Sequence, residues 1–229
     1  IEKYEDLDAI DADSALDNPL EERLGIRILG YPTKEDIEDL QNFYRDPKNR
    51  QRVFLKEDVG LERIVIFPPQ MKTHSDYLGK TVFERKEIQF FSGQVNDHGI
   101  AHHEFTHLGI HYLEENDSPF LKEWGSIAGS YGKIEEIKNG KEIRYFYTNA
   151  KDKQEPFNGY VTPYGGKTLH EDVATYVESV VTQPEVFGKA TESFEIYSQK
   201  LELLLCYNFI TLEEFKKAEE YLILARLKW

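Results

Sequence analysis

Residues 103–107 read His-Glu-Phe-Thr-His, with two histidines four positions apart and a glutamate directly after the first. Four positions span about one turn of an α-helix, so His103 and His107 project from the same face and can bind one metal ion. Glu104 lies about 100° round the helix from His103. There its carboxylate can take a proton from a water molecule at the metal without binding the metal itself. The spacing predicts a zinc site that activates water for attack on a carbonyl group.

The residues around this motif predict the helix that must carry it, from residue 96 or 97 to about residue 114. An apolar stripe with helical spacing lies nearly opposite His103 and comprises Ala101, Phe105, Leu108 and Tyr112. One face of the helix is therefore expected to pack on the core, and the other to hold the metal.

Neighbouring histidines are weaker candidates for the third ligand. His111 lies eight residues after His103, about 12 Å along a straight helix, which is too far for both to bind one ion. We expect His111 to line the cleft, and His102 to lie at the surface or behind the ligands. The extended pattern HExxHxxGxxH is not continued, because Ile110 and Leu113 occupy its glycine and final histidine positions. A glutamate on a second helix is the remaining common solution.

A second helix is predicted from Thr168 to Val181, where Thr168 and Glu171 are spaced like a capping box. It carries two acidic candidates for the third ligand, Glu171 and Glu178. The spacing alone leaves both candidates open.

Two segments around this helix resemble the downstream motif of gluzincin-type bacterial zinc metallopeptidases, the group of the anthrax lethal factor-like and Pro-Pro endopeptidase catalytic domains. Residues 159–165 read Gly-Tyr-Val-Thr-Pro-Tyr-Gly, and residues 170–176 read His-Glu-Asp-Val-Ala-Thr-Tyr. In that group a tyrosine lies seven residues before the glutamate ligand, as Tyr164 does before Glu171 here. The chain departs from the group at Thr175, where relatives often carry an acid.

The resemblance covers about residues 87–182 and implies roles for two residues. It implies that Glu171 completes a His₂Glu site for one Zn²⁺ per chain, and that Tyr164 donates a hydrogen bond to the oxyanion of the transition state. It also implies an α+β, zincin-like metallopeptidase fold, with a twisted sheet and the metal helix in one lobe and a mainly helical second lobe. Because relatives are often exported, a secreted or cell-surface bacterial protein is expected, with a cytoplasmic one left open.

The chain is expected to form one catalytic domain over residues 24–229, with lobes at about 24–115 and 116–229. Residues 1–23 hold nine acids and two bases, and we expect them to form an acidic lead-in or tether. Other elements are predicted from β-rich runs, capping residues and helical periodicity. They are strands at residues 27–31, 61–67, 87–91 and 143–147, a helix at residues 32–44 with Thr33 as its N-cap, and two final helices, the last starting at Thr211.

The segment at residues 86–92 directly precedes the metal helix, and the equivalent strand of zincins is an exposed sheet edge to which an extended peptide adds. We therefore expect Gln89, Phe90 and Phe91 to bind a polypeptide substrate, beside His111 in the cleft. The predicted function is that of a zinc-dependent metallopeptidase, an endopeptidase, with Glu104 as general base. The alternative is a catalytically inactive zincin-fold module for binding or surface interaction that keeps its metal.

The composition disfavours several other classes of function. The 28 basic and 42 acidic residues give a formal net charge of −14, which disfavours nucleic acid as a partner, because its phosphates require a basic face. No run approaches the roughly 18 apolar residues of a membrane span. The single cysteine, Cys206, rules out an internal disulfide, and it is expected in the core because it follows three leucines. Nothing in the sequence indicates the oligomeric state.

Overall fold

A computed structural model of the chain describes residues 25–55, 59–70, 78–95, 98–128, 134–139, 142–147, 159–162, 164–189 and 194–227. The acidic lead-in predicted at residues 1–23 lies outside these ranges. The described residues form an α+β fold that combines a small mixed sheet with six helices, and this confirms the predicted fold class.

The main sheet has four strands in the order β1-β2-β4-β3. The strands are β1 (Arg27–Gly30), β2 (Arg63–Phe67), β3 (Gly79–Val82) and β4 (Glu87–Phe91). The first three in this order run parallel, whereas β3 runs antiparallel to β4. A separate antiparallel hairpin comprises β5 (Ile134–Asn139) and β6 (Glu142–Tyr147). The four predicted strands are confirmed to within two residues at either end.

The position of β4 corrects one expectation from the sequence. β4 pairs with β2 on one side and with β3 on the other, so it lies inside the sheet and β3 forms the edge. Phe90 and Phe91 are buried, and the amide of Gln89 donates to Glu87 Oε1 at 2.7 Å. The expectation that this strand is an exposed edge is therefore wrong, because β3 occupies that side, and contact of Gln89, Phe90 and Phe91 with a substrate stays a prediction.

The helices begin and end close to the predicted residues. They are α1 (Lys34–Arg45), α2 (His98–Glu115), α3 (Phe120–Ala128), α4 (Leu169–Thr182), α5 (Phe194–Cys206) and α6 (Leu212–Leu227). Two N-termini carry reciprocal capping boxes, in which a threonine hydroxyl and an acid three residues later each accept from the other's backbone N–H. These boxes are Thr33 with Asp36 for α1 and Thr211 with Glu214 for α6. Only α3 lacks a predicted counterpart.

The hydrophobic core extends from the sheet and helices α1 and α2 into helices α3 to α6. Phe105 of α2 is fully buried and stacks on Phe43 of α1, with ring centroids 4.7 Å apart. His102 joins the same core, since its ring lies 4.9 Å from that of Phe43 and its Nε2 lies 3.1 Å from Asn49 Oδ1. Of the two places expected for His102, the surface is thus wrong, because the residue is buried. Cys206 is exposed, which corrects its predicted place in the core.

Within the described ranges, no helix combines the length and apolar character that crossing a membrane requires.

Candidate metal centre

Helices α2 and α4 bring together the three predicted metal ligands. His103 Nε2 lies 3.1 Å from Glu171 Oε2 and 3.2 Å from His107 Nε2, and His107 Nε2 lies 3.6 Å from Glu171 Oε2. His103 and His107 come from one turn of α2, whereas Glu171 comes from the first turn of α4. One donor atom from each residue lies within 4.8 Å of the others, so the three can hold a single metal ion.

The separations between the donor atoms fit zinc. A tetrahedral zinc ion with ligand bonds of about 2.0–2.2 Å places its ligand atoms roughly 3.3–3.6 Å apart. The three observed separations of 3.1, 3.2 and 3.6 Å are close to the edges of that tetrahedron. Two imidazole nitrogens and one carboxylate oxygen also form a donor set of catalytic zinc sites, which keep a fourth position for water or substrate.

The electrostatics of this group favour a cation. Burial lowers the pKa of His103, but hydrogen bonds to Glu171 and Glu178 outweigh it and raise the pKa to about 10. Burial raises the pKa of Glu171, but hydrogen bonds to His103 and His107 outweigh it and hold the pKa well below its usual range. Without metal, His103 therefore carries a proton between two carboxylates. Once that proton has left, the same two carboxylates stabilise a bound divalent cation.

Glu178 contacts His103 on the side of the ring that faces away from the other donors. Its Oε2 lies 3.0 Å from Nδ1, whereas Nε2 faces Glu171 and His107. A carboxylate at one ring nitrogen orients the imidazole and fixes which nitrogen is left for a metal. Of the two acidic candidates on α4, Glu171 thus joins the donor group, and Glu178 supports His103 from outside it.

Thr175, where the resemblance expects an acid, has a local role within α4. Its hydroxyl lies 2.8 Å from the backbone carbonyl of Glu171 and 3.1 Å from that of Asp172. The carboxylate that contacts Nδ1 of His103 comes from Glu178, three residues further along the helix.

Glu104 is buried beside the donor group and contacts the edge strand. Only 7% of its surface is exposed, and its Oε2 lies 2.8 Å from the hydroxyl of Thr81 on β3. The sequence gives no signal for Thr81, because a threonine in a short strand is ordinary and the pairing of distant elements leaves no local pattern.

Tyr164 lies at the exposed side of the donor group. Its hydroxyl donates to Glu171 Oε1 at 3.1 Å, the oxygen that does not contact the histidines. Its ring centroid lies 6.0 Å from that of His103, and Lys167 Nζ lies 4.0 Å from its centre. The phenol is 37% exposed, so it is accessible to a ligand. The structure brings Tyr164 to the site, and its role towards an oxyanion stays a prediction.

His111 and His170 lie outside the donor group. The ring of His111 packs on that of Phe83 with centroids 4.6 Å apart, and its Nε2 lies 3.3 Å from Glu115 Oε1. Its contact with a substrate stays a prediction. His170 Nε2 lies 3.1 Å from Glu114 Oε2 and thereby links the start of α4 to the end of α2.

A buried network of hydrogen bonds with an ion pair supports the first turn of α4. Asp172 accepts a hydrogen bond from Trp124 Nε1 at 2.8 Å and forms an ion pair with Lys200 at 2.5 Å. Lys200 is fully buried and also donates to the backbone carbonyl of Gly159 at 2.7 Å. It therefore connects the helix that carries Glu171 to the segment that leads to Tyr164. In the sequence, this network is indicated by the position of a lysine on the apolar face of α5.

The comparisons with known proteins agree with a metallopeptidase fold. No protein-family model matches the chain, and no curated protein matches it. Among solved structures, the chain is similar to a crystal structure from Bacteroides caccae ATCC 43185, described as a "putative zinc-binding metallo-peptidase". The TM-score is 0.53 and the sequences are 17% identical, over 85% of this chain and 76% of that chain. This similarity shows a metallopeptidase-like fold, and the narrower resemblance to the lethal factor-like group stays a prediction.

Proposed function

We propose that this protein is a zinc-dependent metallopeptidase that cleaves internal peptide bonds of polypeptides. The observation that carries the proposal is the convergence of His103, His107 and Glu171 from two helices, with Glu104 held beside them. The likeness of fold to the Bacteroides caccae protein supports it independently of the motif.

The side chains of the site have distinct tasks in the proposed reaction. His103, His107 and Glu171 would hold the zinc ion, which would polarise the scissile carbonyl and acidify water. Glu104 takes the proton of the attacking water and delivers it to the leaving amine. Tyr164 donates its hydroxyl hydrogen to the developing oxyanion, which requires it to leave its hydrogen bond with Glu171.

The edge strand β3 is the proposed docking site for the substrate. Within the described ranges β3 pairs with β4 on one side only, and we propose that an extended peptide pairs with the backbone groups along its other side. Thr81 of β3 contacts Glu104, so a peptide that pairs with this strand runs close to the general base. In this proposal the substrate peptide pairs with β3, and not with β4 as predicted from the sequence.

The first experiment measures zinc content and cleavage together. Metal analysis of the purified protein is expected to give one zinc per chain. The zinc-loaded protein is then incubated with a diverse peptide library, and products are identified by mass spectrometry. Glu104→Gln is the matched control, because it keeps the three donors and removes the base.

Each of three results leads to a different conclusion about the protein. Cleavage by the zinc-loaded wild type alone, lost in Glu104→Gln and with a chelator, supports the proposal. Stoichiometric zinc without cleavage of peptides or of unfolded proteins would favour the inactive binding module. Zinc far below one per chain would contradict the metal site itself.

A further inference from the structure

The edge strand β3 presents two residues to Glu104. Gly79 and Thr81 are two positions apart, so they lie on the same face of the strand. That face is turned towards α2, whereas Lys80 between them is exposed. The strand therefore meets the general base with one face of its backbone and one hydroxyl group.

Thr81 contacts Glu104 through its hydroxyl. Thr81 Oγ1 lies 2.8 Å from Glu104 Oε2 and 2.9 Å from the backbone carbonyl oxygen of the same residue. A hydroxyl has one hydrogen to donate, and an ionised carboxylate is the stronger acceptor of the two. The carboxylate of Glu104 is thus held through Oε2, while its Oε1 lies on the side of Gly79.

Gly79 packs directly on the side chain of Glu104. A Cβ atom at position 79 would lie 2.8 Å from Glu104 Cγ, 3.0 Å from Glu104 Oε1 and 3.1 Å from Ile100 Cγ2. Such distances are too short for non-bonded carbon atoms, so any larger residue at this position must displace Glu104 or the strand. Gly79 thus packs on the Cγ atom of Glu104, and the hydroxyl of Thr81 holds the carboxylate.

We propose that Thr81 is a positioning residue, whose hydroxyl sets the orientation of Glu104 and ties it to the strand on which the substrate docks. The orientation of Glu104 can be tested whatever the activity of the protein, whereas its effect on turnover rests on the proposed function. A peptide that pairs with β3 is thereby placed relative to the base by the same strand that orients the base.

The test compares Thr81→Val with Thr81→Ser. Valine keeps the shape of threonine and removes the hydroxyl, whereas serine keeps the hydroxyl. Crystal structures of the zinc-free wild type and both variants are expected to show the Glu104 carboxylate rotated away in Thr81→Val and retained in Thr81→Ser. With a cleaved peptide, kcat is expected to fall between about tenfold and 100-fold in Thr81→Val, because misplaced catalytic groups cost rate on this scale. KM and zinc content are expected to stay near their wild-type values, and Thr81→Ser to restore most of kcat.

An unchanged Glu104 carboxylate in Thr81→Val would overturn the proposal, whatever the activity of the protein. An unchanged kcat in a variant whose Glu104 has rotated would overturn the catalytic part of it. If the wild type cleaves no peptide, the proposed function fails while the crystal structures still decide the role of Thr81. Should Thr81→Val not fold, Thr81→Ala removes the same hydroxyl with a smaller side chain, and a rotated Glu104 carboxylate is expected there, with an undisturbed Glu104 as the contrary result.

Discussion

Glu178 Oε2 lies 3.0 Å from Nδ1 of His103, on the side of the ring opposite to the Nε2 atom that faces Glu171. Both carboxylates come from α4, so one helix supplies a metal donor and the group that aligns another donor. A carboxylate in this position orients the imidazole and increases the basicity of the nitrogen that binds metal. The strength of zinc binding should therefore depend on a residue that does not touch the metal.

Replacing Glu178 by Gln is expected to weaken zinc binding by about 10- to 100-fold, the usual effect of losing an outer partner of a metal ligand. The dissociation constant is measured by competition with a chromogenic chelator. Glu185→Gln is the matched control, because Glu185 is an exposed acid just beyond α4 and loses the same charge. Equal zinc affinity in the two variants would show that Glu178 does not align His103.

Zinc binding is expected to release a proton from His103 at neutral pH. The pKa of about 10 means that this imidazole is protonated in the zinc-free protein, whereas a metal requires the neutral form. Apparent zinc affinity should rise about tenfold per pH unit for that proton, up to a pH near 10. Calorimetry in two buffers of different ionisation enthalpy measures the release, and identical apparent enthalpies in both buffers would contradict it.

The stability of the zinc-free protein should fall at alkaline pH. His103 has a pKa of about 10 in the folded chain, above its ordinary value of 6.5. Its contribution is fully present below pH 6.5 and is lost as the pH rises towards 10. Urea unfolding with a chelator present, at pH 6.5 and pH 9.5, measures the difference. His103→Asn should flatten this dependence, and an equally steep fall in that variant would assign the effect to another group.

Removing the charge of Lys200 is expected to destabilise the fold. Burial lowers the pKa of Lys200, and the carboxylate of Asp172 opposes this shift. Lys200→Met leaves the buried carboxylate without its ion pair, which costs about 3–5 kcal/mol in comparable pairs. The double variant Lys200→Met with Asp172→Asn should recover part of the loss, because neither position of this ion pair then carries a charge. Urea unfolding at pH 7 measures both, and a loss below about 1 kcal/mol in the single variant would contradict the prediction.

The parts of the site that the sequence predicts are those with local patterns. His103, Glu104 and His107 lie within one turn of one helix, so their spacing alone placed two donors and a base on adjoining faces. Glu171 lies far along the chain, and helical spacing could not distinguish it from Glu178. Only the packing of α4 against α2 decides which carboxylate lies within the donor group, and only the resemblance favoured Glu171 in advance.

Other features of the structure were not predicted from the sequence because they depend on contacts between distant segments. The place of β4 inside the sheet depends on β3, a four-residue strand whose glycine gives little β propensity. His102 and Lys200 are buried because Asn49 and Asp172 meet their polar atoms across the core. A polar residue on an apolar helix face is ambiguous in sequence, since its partner comes from another element.

The order of the elements along the chain has a consequence for protein synthesis. A ribosome makes α2 well before α4, so a nascent chain exposes His103 and His107 while Glu171 and Glu178 do not yet exist. Two donors on an isolated helix bind zinc weakly, and the network through Lys200 needs α5 as well. The proposed peptidase therefore cannot cleave neighbouring nascent chains until its helices α4 and α5 have been translated and folded.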